Sequence, residues 1–218
     1  MLKITSVEVQ KKNPHRFNIF IDGKFAFGAD EDLVVDRRLI VGKEFETHDI
    51  EKLLFEAEVG KLMERMYGLF NVRLRSEKEI RDYLKNLSYK RKIKDREEIS
   101  EASIELLIDK LKQKKLINDL EFAKAWMEAR SKKKGKIAIK LELMQKGIDR
   151  EIIEEVISYQ PSDGSEGLVA EKLLSKKLNL WKNLSPVEFK KKSIDYLLRR
   201  GFEYELVRNI VEKVLKKE

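Results

Sequence analysis

Residues 144–148, Met-Gln-Lys-Gly-Ile, recur as Leu-Arg-Arg-Gly-Phe at residues 198–202. A glycine after a helical apolar stripe typically ends the helix in the left-handed conformation, so each copy predicts a helix end. The residues downstream keep the same register, with Ile152 in the position of Leu206. A weaker third copy is Leu-Lys-Asn-Leu-Ser at residues 84–88. Such repetition predicts a tandem array of small helical units.

The array defines the fold class and the domain boundaries that we predict. The class is mainly α, an elongated tandem array of three-helix, helix-turn-helix-like repeats with a small N-terminal β meander. The β region, with a short helix, covers residues 1–49, and the helical units cover 50–117, 118–160 and 163–218. A lysine-rich insert of about a dozen residues expands the first unit. The clearest linker is Pro-Ser-Asp-Gly at 161–164.

The N-terminal region alternates apolar and polar residues with the period of β-strands. Turns are predicted at Asn13-Pro14 and at Asp22-Gly23, which gives a three-stranded meander with one apolar face. A short helix over residues 30–39 should follow and be closed by Gly42. Because a small meander is not stable alone, we expect it to cap the first helical unit; an extra contact to a partner is the alternative.

Three helix starts follow from capping-box sequences, in which a Ser or Asn and a Glu three residues later satisfy unpaired amides. The pairs are Ser76 with Glu79, Asn118 with Glu121, and Ser185 with Glu188. Pro186 then occupies a first helical position, where its missing N–H is tolerated.

The composition excludes several classes of function. The 218 residues include no Cys, which rules out disulfides and thiol catalysis, and the two His lie outside any metal or nucleophile pattern. The acidic residues 30–32 could bind a divalent ion, but we favour their interaction with a helix dipole. Without a Gly-rich phosphate loop either, we predict a protein that is not an enzyme and uses no metal or cofactor. Without a signal core or a long apolar run, we predict a cytoplasmic protein that makes no membrane contact.

The net charge of +8 and the pI near 9.3 favour an anionic partner. Residues 1–50 carry eight Lys or Arg and nine Asp or Glu, so the basic excess lies in the remainder. A Lys- and Glu-rich surface of the kind found in thermophiles is the alternative interpretation.

Two basic clusters are the candidate binding sites. Residues 130–146 contain seven Lys or Arg against Glu142 alone, and residues 85–94 contain five with no acid. Gly135 predicts a turn that opens a helix, where mobile Lys side chains and free amides would suit a phosphate or a carboxylate. A solvated surface is the alternative. The predicted binding residues are Arg73, Arg75, Lys90, Arg91, Lys92, Arg130, Lys132, Lys133, Lys134, Lys136 and Lys140.

The aromatic residues are expected to pack in cores rather than to stack on bases. Phe122, Trp126 and Phe189 lie on apolar stripes, whereas Trp181 and Tyr204 lie beside helix ends, where either role is open. No helix clusters Arg, Asn and Gln for reading base edges, so contact with single- or double-stranded DNA should be made to the phosphate backbone.

Three segments of the chain carry motifs in a fixed order. Residues 75–80 read Arg-Ser-Glu-Lys-Glu-Ile, residues 116–126 read Leu-Ile-Asn-Asp-Leu-Glu-Phe-Ala-Lys-Ala-Trp, and Gly135 is followed by Leu-Glu-Leu-Met-Gln-Lys-Gly-Ile at 141–148. With residues 75–84 taken as the first segment, they resemble three segments of the RecX family of RecA regulators: Arg-Ser before a Glu-x-Glu-Leu helix, Leu-Ile-Asp-Asp with Phe-Ala-x-x-Trp, and Gly…Glu-Leu-x-x-Lys-Gly-Ile. The match is dense over 75–157 and looser after it.

The resemblance implies an elongated, curved array of three-helix repeats that lodges in the helical groove of the RecA–DNA filament. It implies a regulator that modulates, and mainly inhibits, filament growth, ATP hydrolysis and strand exchange in recombination, DNA repair and the SOS response. Lysines replace several of the family's arginines around Gly135, which keeps the charge but loses the bidentate fork. We expect a monomer whose working surface lies where the first and second helical units adjoin.

Two other functions remain open from the sequence. One is a stand-alone nucleic-acid binder of helix-turn-helix type. The other is a basic scaffold that docks an acidic protein without DNA.

Overall fold

The computed structural model describes residues 1–158 and 165–216, in which four strands and ten helices follow one another. The strands are β1 (Leu2–Gln10), β2 (Asn13–Ile21), β3 (Lys24–Asp30) and β4 (Glu44–Phe45). The helices are α1 (Glu31–Asp36), α2 (Thr47–Phe70), α3 (Glu77–Lys92), α4 (Glu101–Gln113), α5 (Asp119–Ser131), α6 (Lys136–Gln145), α7 (Arg150–Ser158), α8 (Ser165–Trp181), α9 (Pro186–Leu198) and α10 (Tyr204–Leu215). The linker predicted at residues 161–164 lies outside the described residues.

The chain forms two compact units. The first consists of Met1–Leu74 and Arg81–Ile117, and the second of Arg75–Ile80 and Asn118–Glu218. The start of α3 therefore belongs to the second unit and the rest of that helix to the first.

The N-terminal strands form an antiparallel sheet in the order β3-β2-β1-β4. Asp22 and Gly23 both have positive φ, at 49° and 76°, in the turn that the sequence predicts. The turn predicted at Asn13-Pro14 is wrong, because β2 begins at Asn13, which pairs with Gln10. Proline is tolerated so near the start of a strand. The two-residue β4 is a fourth strand that the sequence does not predict, since so short a run has no measurable periodicity.

The helix predicted over residues 30–39 is shorter in the structure. Asp30 caps α1 by accepting from the Leu33 amide at 2.9 Å, and the helix ends at Asp36. Arg38 has a φ of +47°, which breaks the helical conformation, so Gly42 does not close the helix but lies in the turn before β4. The sequence favours a role at the helix start for the acidic residues 30–32 over an ion site, and the cap that Asp30 forms agrees with that role.

The apolar face of the sheet packs on α2 in the first unit. The core includes Ile4, Ile19, Ile21, Phe27, Ala29, Leu33, Leu39, Leu53 and Ala57. Arg16 is only 8% exposed and donates to the Gly28 carbonyl and to the Glu64 carboxylate, both at 3.1 Å. Arg16 thus ties β2 to β3 and to α2, which is the arrangement that a cap on the first helices requires.

Two helical cores lie in the second unit. Helices α5, α6 and α7 pack around one set, which includes Phe122, Met127, Ile139, Leu143, Ile153 and Val156. Helices α8, α9 and α10 pack around another, which includes Leu174, Trp181, Phe189, Leu197, Val207 and Val211.

The helix ends predicted from the repeated glycines are confirmed. Gly147 and Gly201 have φ of +77° and +81°. Beside them, the amide of Ile148 donates to the carbonyl of Leu143 and that of Phe202 to that of Leu197, the long closure of a Schellman motif. The weak third copy at residues 84–88 ends no helix, because α3 runs through it to Lys92. That copy has no glycine in which the chain could turn.

The starts of α3 and α6 are stabilised by matching contacts within the second unit. The Glu77 amide donates to Asp119 Oδ1 at 3.0 Å, and the Lys136 amide donates to Glu166 Oε1 at 2.9 Å. Asp119 lies in the first turn of α5, and Glu166 lies in the first turn of α8. Each acidic side chain therefore caps an earlier helix, where the dipole favours negative charge.

The turns at Gly147 and Gly201 are hydrogen-bonded to the starts of α3 and α6. The Lys146 carbonyl accepts from Ser76 Oγ at 2.7 Å, and the Arg200 carbonyl accepts from the Gly135 amide at 2.9 Å. A Cβ on Gly201 would lie 2.3 Å from Ala138, so this glycine is needed for close approach as well as for its φ.

The start of α9 is capped from within its own helix. Ser185 and Glu188 form the complete capping box that the sequence predicts, and Pro186 occupies the first helical position between them. At the other two predicted starts, the Ser76 hydroxyl accepts from the Glu79 amide and the Asn118 side chain accepts from the Glu121 amide.

Candidate nucleic-acid interface

The densest basic cluster lies between α5 and α6, where the sequence predicts a turn at Gly135 and the structure makes this residue the N-cap of α6. Lys132 and Lys133 are exposed, and Lys136 is half-buried. Within the described residues, none of these three side chains has a carboxylate partner. They are the cations of the turn that are available to an external anion.

Glu142 neutralises the other cations of this turn. Its carboxylate forms an ion pair with Lys134, accepts from Trp126 Nε1 at 2.8 Å and lies 3.4 Å from Arg130 Nε. Burial alone would raise its pKa, since the side chain is 19% exposed, but these hydrogen bonds and the neighbouring charges outweigh that effect. The net result is a pKa of Glu142 below its ordinary value.

Trp126 is half-buried at the centre of this network. Its ring stacks on Phe122 with centroids 5.6 Å apart, and the Arg130 guanidinium lies 4.5 Å from its centroid. The Lys146 ammonium lies 5.1 Å from the same ring. Packing among neighbours is therefore the role of Trp126 here, as expected from its place on an apolar stripe.

The remaining cations of residues 130–146 also have carboxylate partners. Lys140 pairs with Glu154, whose pKa is lowered chiefly by that hydrogen bond, and Lys146 lies 2.5 Å from Glu79. The local excess of positive charge counted along the sequence is thus reduced in the folded chain. Both partners lie outside the segment, so a count within it could not include them.

The free amides expected at the start of α6 are occupied, which corrects that part of the prediction. The amides of Gly135 and Ile137 donate to the carbonyls of Arg200 and Gly201. The Lys136 amide donates to Glu166, so the carboxylate that this turn receives belongs to the chain itself. An external phosphate would meet lysine side chains rather than main-chain amides.

The cluster at residues 85–94 lies in the first unit, at the end of α3. Arg91 pairs with Glu58 at 2.5 Å, and Lys92 pairs with Glu98 at 2.8 Å, which raises the pKa of Lys92. Lys90 is exposed and has no carboxylate partner in the part of the chain that is described. In this cluster, Lys90 is the predicted binding residue most open to a partner.

The two arginines before α3 are engaged differently from each other. Arg73 donates to the Leu74 carbonyl at 2.8 Å. Arg75 belongs to the second unit, and its Nε is buried without a hydrogen-bond partner among the described residues.

A further group of cations, which sequence reasoning missed, surrounds the aromatic residues of α8 and α9. Of the two aromatic residues whose role the sequence left open, Trp181 is 7% exposed and packs in the core. Tyr204 is 54% exposed. The charges of residues 190–192 and 199–200 were visible as a pattern in the sequence. The sequence could not show that Lys177, Lys192 and Arg200 all contact the rings of Tyr196 and Trp181.

The described residues contain neither a group of metal-ligand side chains nor a helix that could span a bilayer. No three His, Asp or Glu side chains of residues 1–158 and 165–216 are grouped as a metal ion would need. None of the described helices has both the length and the apolar character needed to cross a bilayer.

Three family models match the chain in order along its length. They are the "Regulatory protein RecX N-terminal domain" at residues 2–46, "RecX, second three-helix domain" at 118–157, and "RecX, third three-helix domain" at 169–211. The chain is 36% identical to regulatory protein RecX of Bacillus pumilus over 206 residues, which cover 94% of this chain and 74% of that protein. The chain belongs to the RecX family of regulatory proteins.

Other RecX proteins and structures agree with this assignment. The Bacillus subtilis protein is 36% identical over 97% of this chain and 76% of its own length. A crystal structure of regulatory protein RecX superposes with a TM-score of 0.74 at 27% identity over the full length of both chains. RecX from Lactobacillus salivarius gives a TM-score of 0.61 at 27% identity over 73% of this chain and 97% of that one. The predicted class, tandem three-helix domains after a small β region, is confirmed.

Proposed function

We propose that this RecX-family chain binds the RecA–DNA filament in its helical groove and mainly inhibits filament growth, ATP hydrolysis and strand exchange. The observation that carries the proposal is the family relationship over nearly the whole chain, at 36% identity and with both three-helix domains in order. In this role the protein is a non-enzymatic, cytoplasmic regulator in recombination and DNA repair.

The charges of the second unit support a contact with the phosphate backbone. Lys132, Lys133 and Lys136 extend from one turn without carboxylate partners in the described chain. Lysines bind phosphates as mobile point charges, and a contact to a phosphate does not depend on the base sequence. Such contacts suit a protein that must act on a filament formed on any DNA.

Weak contacts on separate units would add to one another on a filament. Lys90 lies in the first unit and the α5–α6 turn in the second, so each unit has its own basic residues to offer. Once one unit is bound to a repeating lattice, the other meets its site at high effective concentration. A single protein monomer could thus bind tightly without any one strong site.

A binding experiment separates this proposal from its two alternatives. Tagged protein is incubated with RecA, with single-stranded DNA, or with filaments assembled from both, and the retained fraction is measured. We expect retention of filaments to exceed retention of either component alone. Equal retention of DNA with and without RecA would favour a stand-alone nucleic-acid binder. Binding to RecA that survives nuclease treatment unchanged would favour a scaffold for an acidic protein.

A further inference from the structure

A second basic surface in the same unit lies around Tyr196 and Trp181. The Arg200 guanidinium lies 4.8 Å from the Tyr196 ring centroid, and the Lys177 ammonium lies 5.7 Å from it. The two rings meet edge to face at 5.7 Å, and the Lys192 ammonium lies 5.8 Å from the Trp181 ring. Three cations from α8, α9 and the turn after α9 thus share one aromatic pair.

Arg200 connects this surface to the α5–α6 turn. Its Nη1 donates to the Lys133 carbonyl at 3.1 Å, and its own carbonyl accepts from the Gly135 amide at 2.9 Å. The main chain of Lys133 therefore contacts Arg200, and Arg200 and Lys177 both contact the Tyr196 ring. We call this surface the basic strip; its residues are Lys132, Lys133, Lys177, Lys192 and Arg200.

The cations of the strip differ from other lysines of the same helices. Lys213 pairs with Glu171 at 2.7 Å, and Lys190 lies 3.6 Å from Glu212. In the described residues, Lys177 and Lys192 have an aromatic ring and no carboxylate within ion-pair distance. Glu188, whose pKa is lowered first by hydrogen bonds from Ser185 and to a smaller extent by the charge of Lys192, is engaged in its capping box.

The Tyr196–Trp181 pair is contacted by three cations, Lys177, Lys192 and Arg200, that form no ion pair among the described residues. Like charges on neighbouring rings repel one another, and an anion that binds across them removes that repulsion. A ring face attracts a cation while leaving part of its N–H groups in solvent, where they can donate to phosphate. Trp181 is buried and the Tyr196 ring already contacts Arg200 and Lys177, so the cations rather than the rings are the groups offered to DNA.

We infer that the basic strip is a second phosphate-binding surface, which continues from the α5–α6 turn onto the third three-helix domain and holds the backbone of single-stranded DNA. The inference rests on the proposed function, since it extends the DNA contact of the same regulator. It assigns to α8 and α9 a binding role in addition to packing.

The test is the salt dependence of binding to labelled oligo(dT), measured by fluorescence anisotropy with the full chain. Lys177→Gln combined with Lys192→Gln should weaken binding and reduce the slope of log K against log salt by about 1.4, at about 0.7 for each single-strand phosphate that is no longer bound. The matched control is Lys190→Gln combined with Lys213→Gln, which removes the same charge from carboxylate-paired lysines and should leave the slope within error of the wild type. Circular dichroism melts verify that both double variants remain folded.

The outcomes separate the strip from the wider proposal. If the K177Q/K192Q slope equals that of the wild type while Ala at Lys132, Lys133 and Lys136 still reduces it, the continuation of the strip onto the third three-helix domain is refuted and the α5–α6 turn stands. If K177Q/K192Q weakens binding to poly-glutamate but not to oligo(dT), the strip serves an acidic protein and the inference is also refuted. If the wild type retains neither DNA nor filaments, the proposed function itself fails.

Discussion

The main-chain amide of Lys136, at the start of α6, donates a 2.9 Å hydrogen bond to Glu166 Oε1 in the first turn of α8. The Glu77 amide at the start of α3 makes the matching bond to Asp119 in the first turn of α5. In both cases a later domain supplies the cap of an earlier helix. The start of α9 supplies its own cap through Ser185 and Glu188. Caps between successive domains therefore help to join the repeats of the second unit.

Removing one of these caps should destabilise the second unit. Glu166→Ala leaves the Lys136 amide without its acceptor, and loss of a cap costs about 1 kcal/mol of unfolding free energy. Urea denaturation followed by circular dichroism measures it. The control Glu171→Ala, on the same helix, breaks only the exposed pair with Lys213 and should change stability by less than about 0.5 kcal/mol. Equal effects of the two variants would show that the cap contributes nothing.

The close approach of Gly201 to α6 predicts a larger effect. Gly201→Ala places a side chain in the left-handed region, which costs about 1–2 kcal/mol, and presses its Cβ against Ala138. Gly23→Ala has a similar φ but meets open space, so it measures the backbone term alone. Thermal melts should show a greater loss for Gly201→Ala than for Gly23→Ala. An equal loss would contradict a tight contact at Gly201.

Local sequence signals predicted much of this fold because their physical causes are local. A glycine after an apolar stripe is enough to predict the turns at Gly147 and Gly201, and Ser185 with Glu188 is enough to predict the start of α9. The residues that contact those turns lie more than fifty residues away in the chain. The sequence around Gly201 therefore gives no sign that Ala138 is its neighbour. The same limit explains β4, whose two residues are ordered by pairing with Leu2 and Lys3.

The unpaired lysines of the α5–α6 turn should account for a defined part of the salt dependence of DNA binding. Ala at Lys132, Lys133 and Lys136 together should reduce the slope by about 2, at about 0.7 for each contact. Ala at Lys124, Lys140 and Lys213 removes the same charge, but each of those lysines has a carboxylate partner. That control should change the slope much less. Equal reductions would mean that pairing does not select the binding lysines.

Glu142 should make stability depend on pH. Its pKa is lowered in the folded protein, so its contribution is complete above the unfolded pKa of about 4.3 and is lost as the pH falls through the folded value. Glu142→Gln should therefore be less stable than the wild type at pH 7, with the difference shrinking toward pH 3. Urea midpoints across this range measure it, with Glu128→Gln as an exposed control. A difference that does not depend on pH would contradict the lowered pKa.

The environment of Glu142 shows why the sequence could not tell which of the candidate binding residues are unpaired. A basic run can be seen in the sequence, and it places Lys132, Lys133 and Lys134 on the turn between α5 and α6, with Lys136 at the start of α6. Whether a cation is available depends on its partners, and Glu142 takes Lys134 while leaving Lys132 and Lys133 unpaired. The cations around the Tyr196–Trp181 pair come from three separate positions in the chain, so they form no single run that a sequence window could detect.

Regulation of RecA by this chain is measured most directly through the ATPase activity of RecA on single-stranded DNA, titrated with the protein. We predict a decrease in ATP hydrolysis as the protein is added, and a weaker decrease with the variant that has Ala at Lys132, Lys133 and Lys136. ATPase activity that stays constant while the protein saturates its binding to the filament would contradict an inhibitory role.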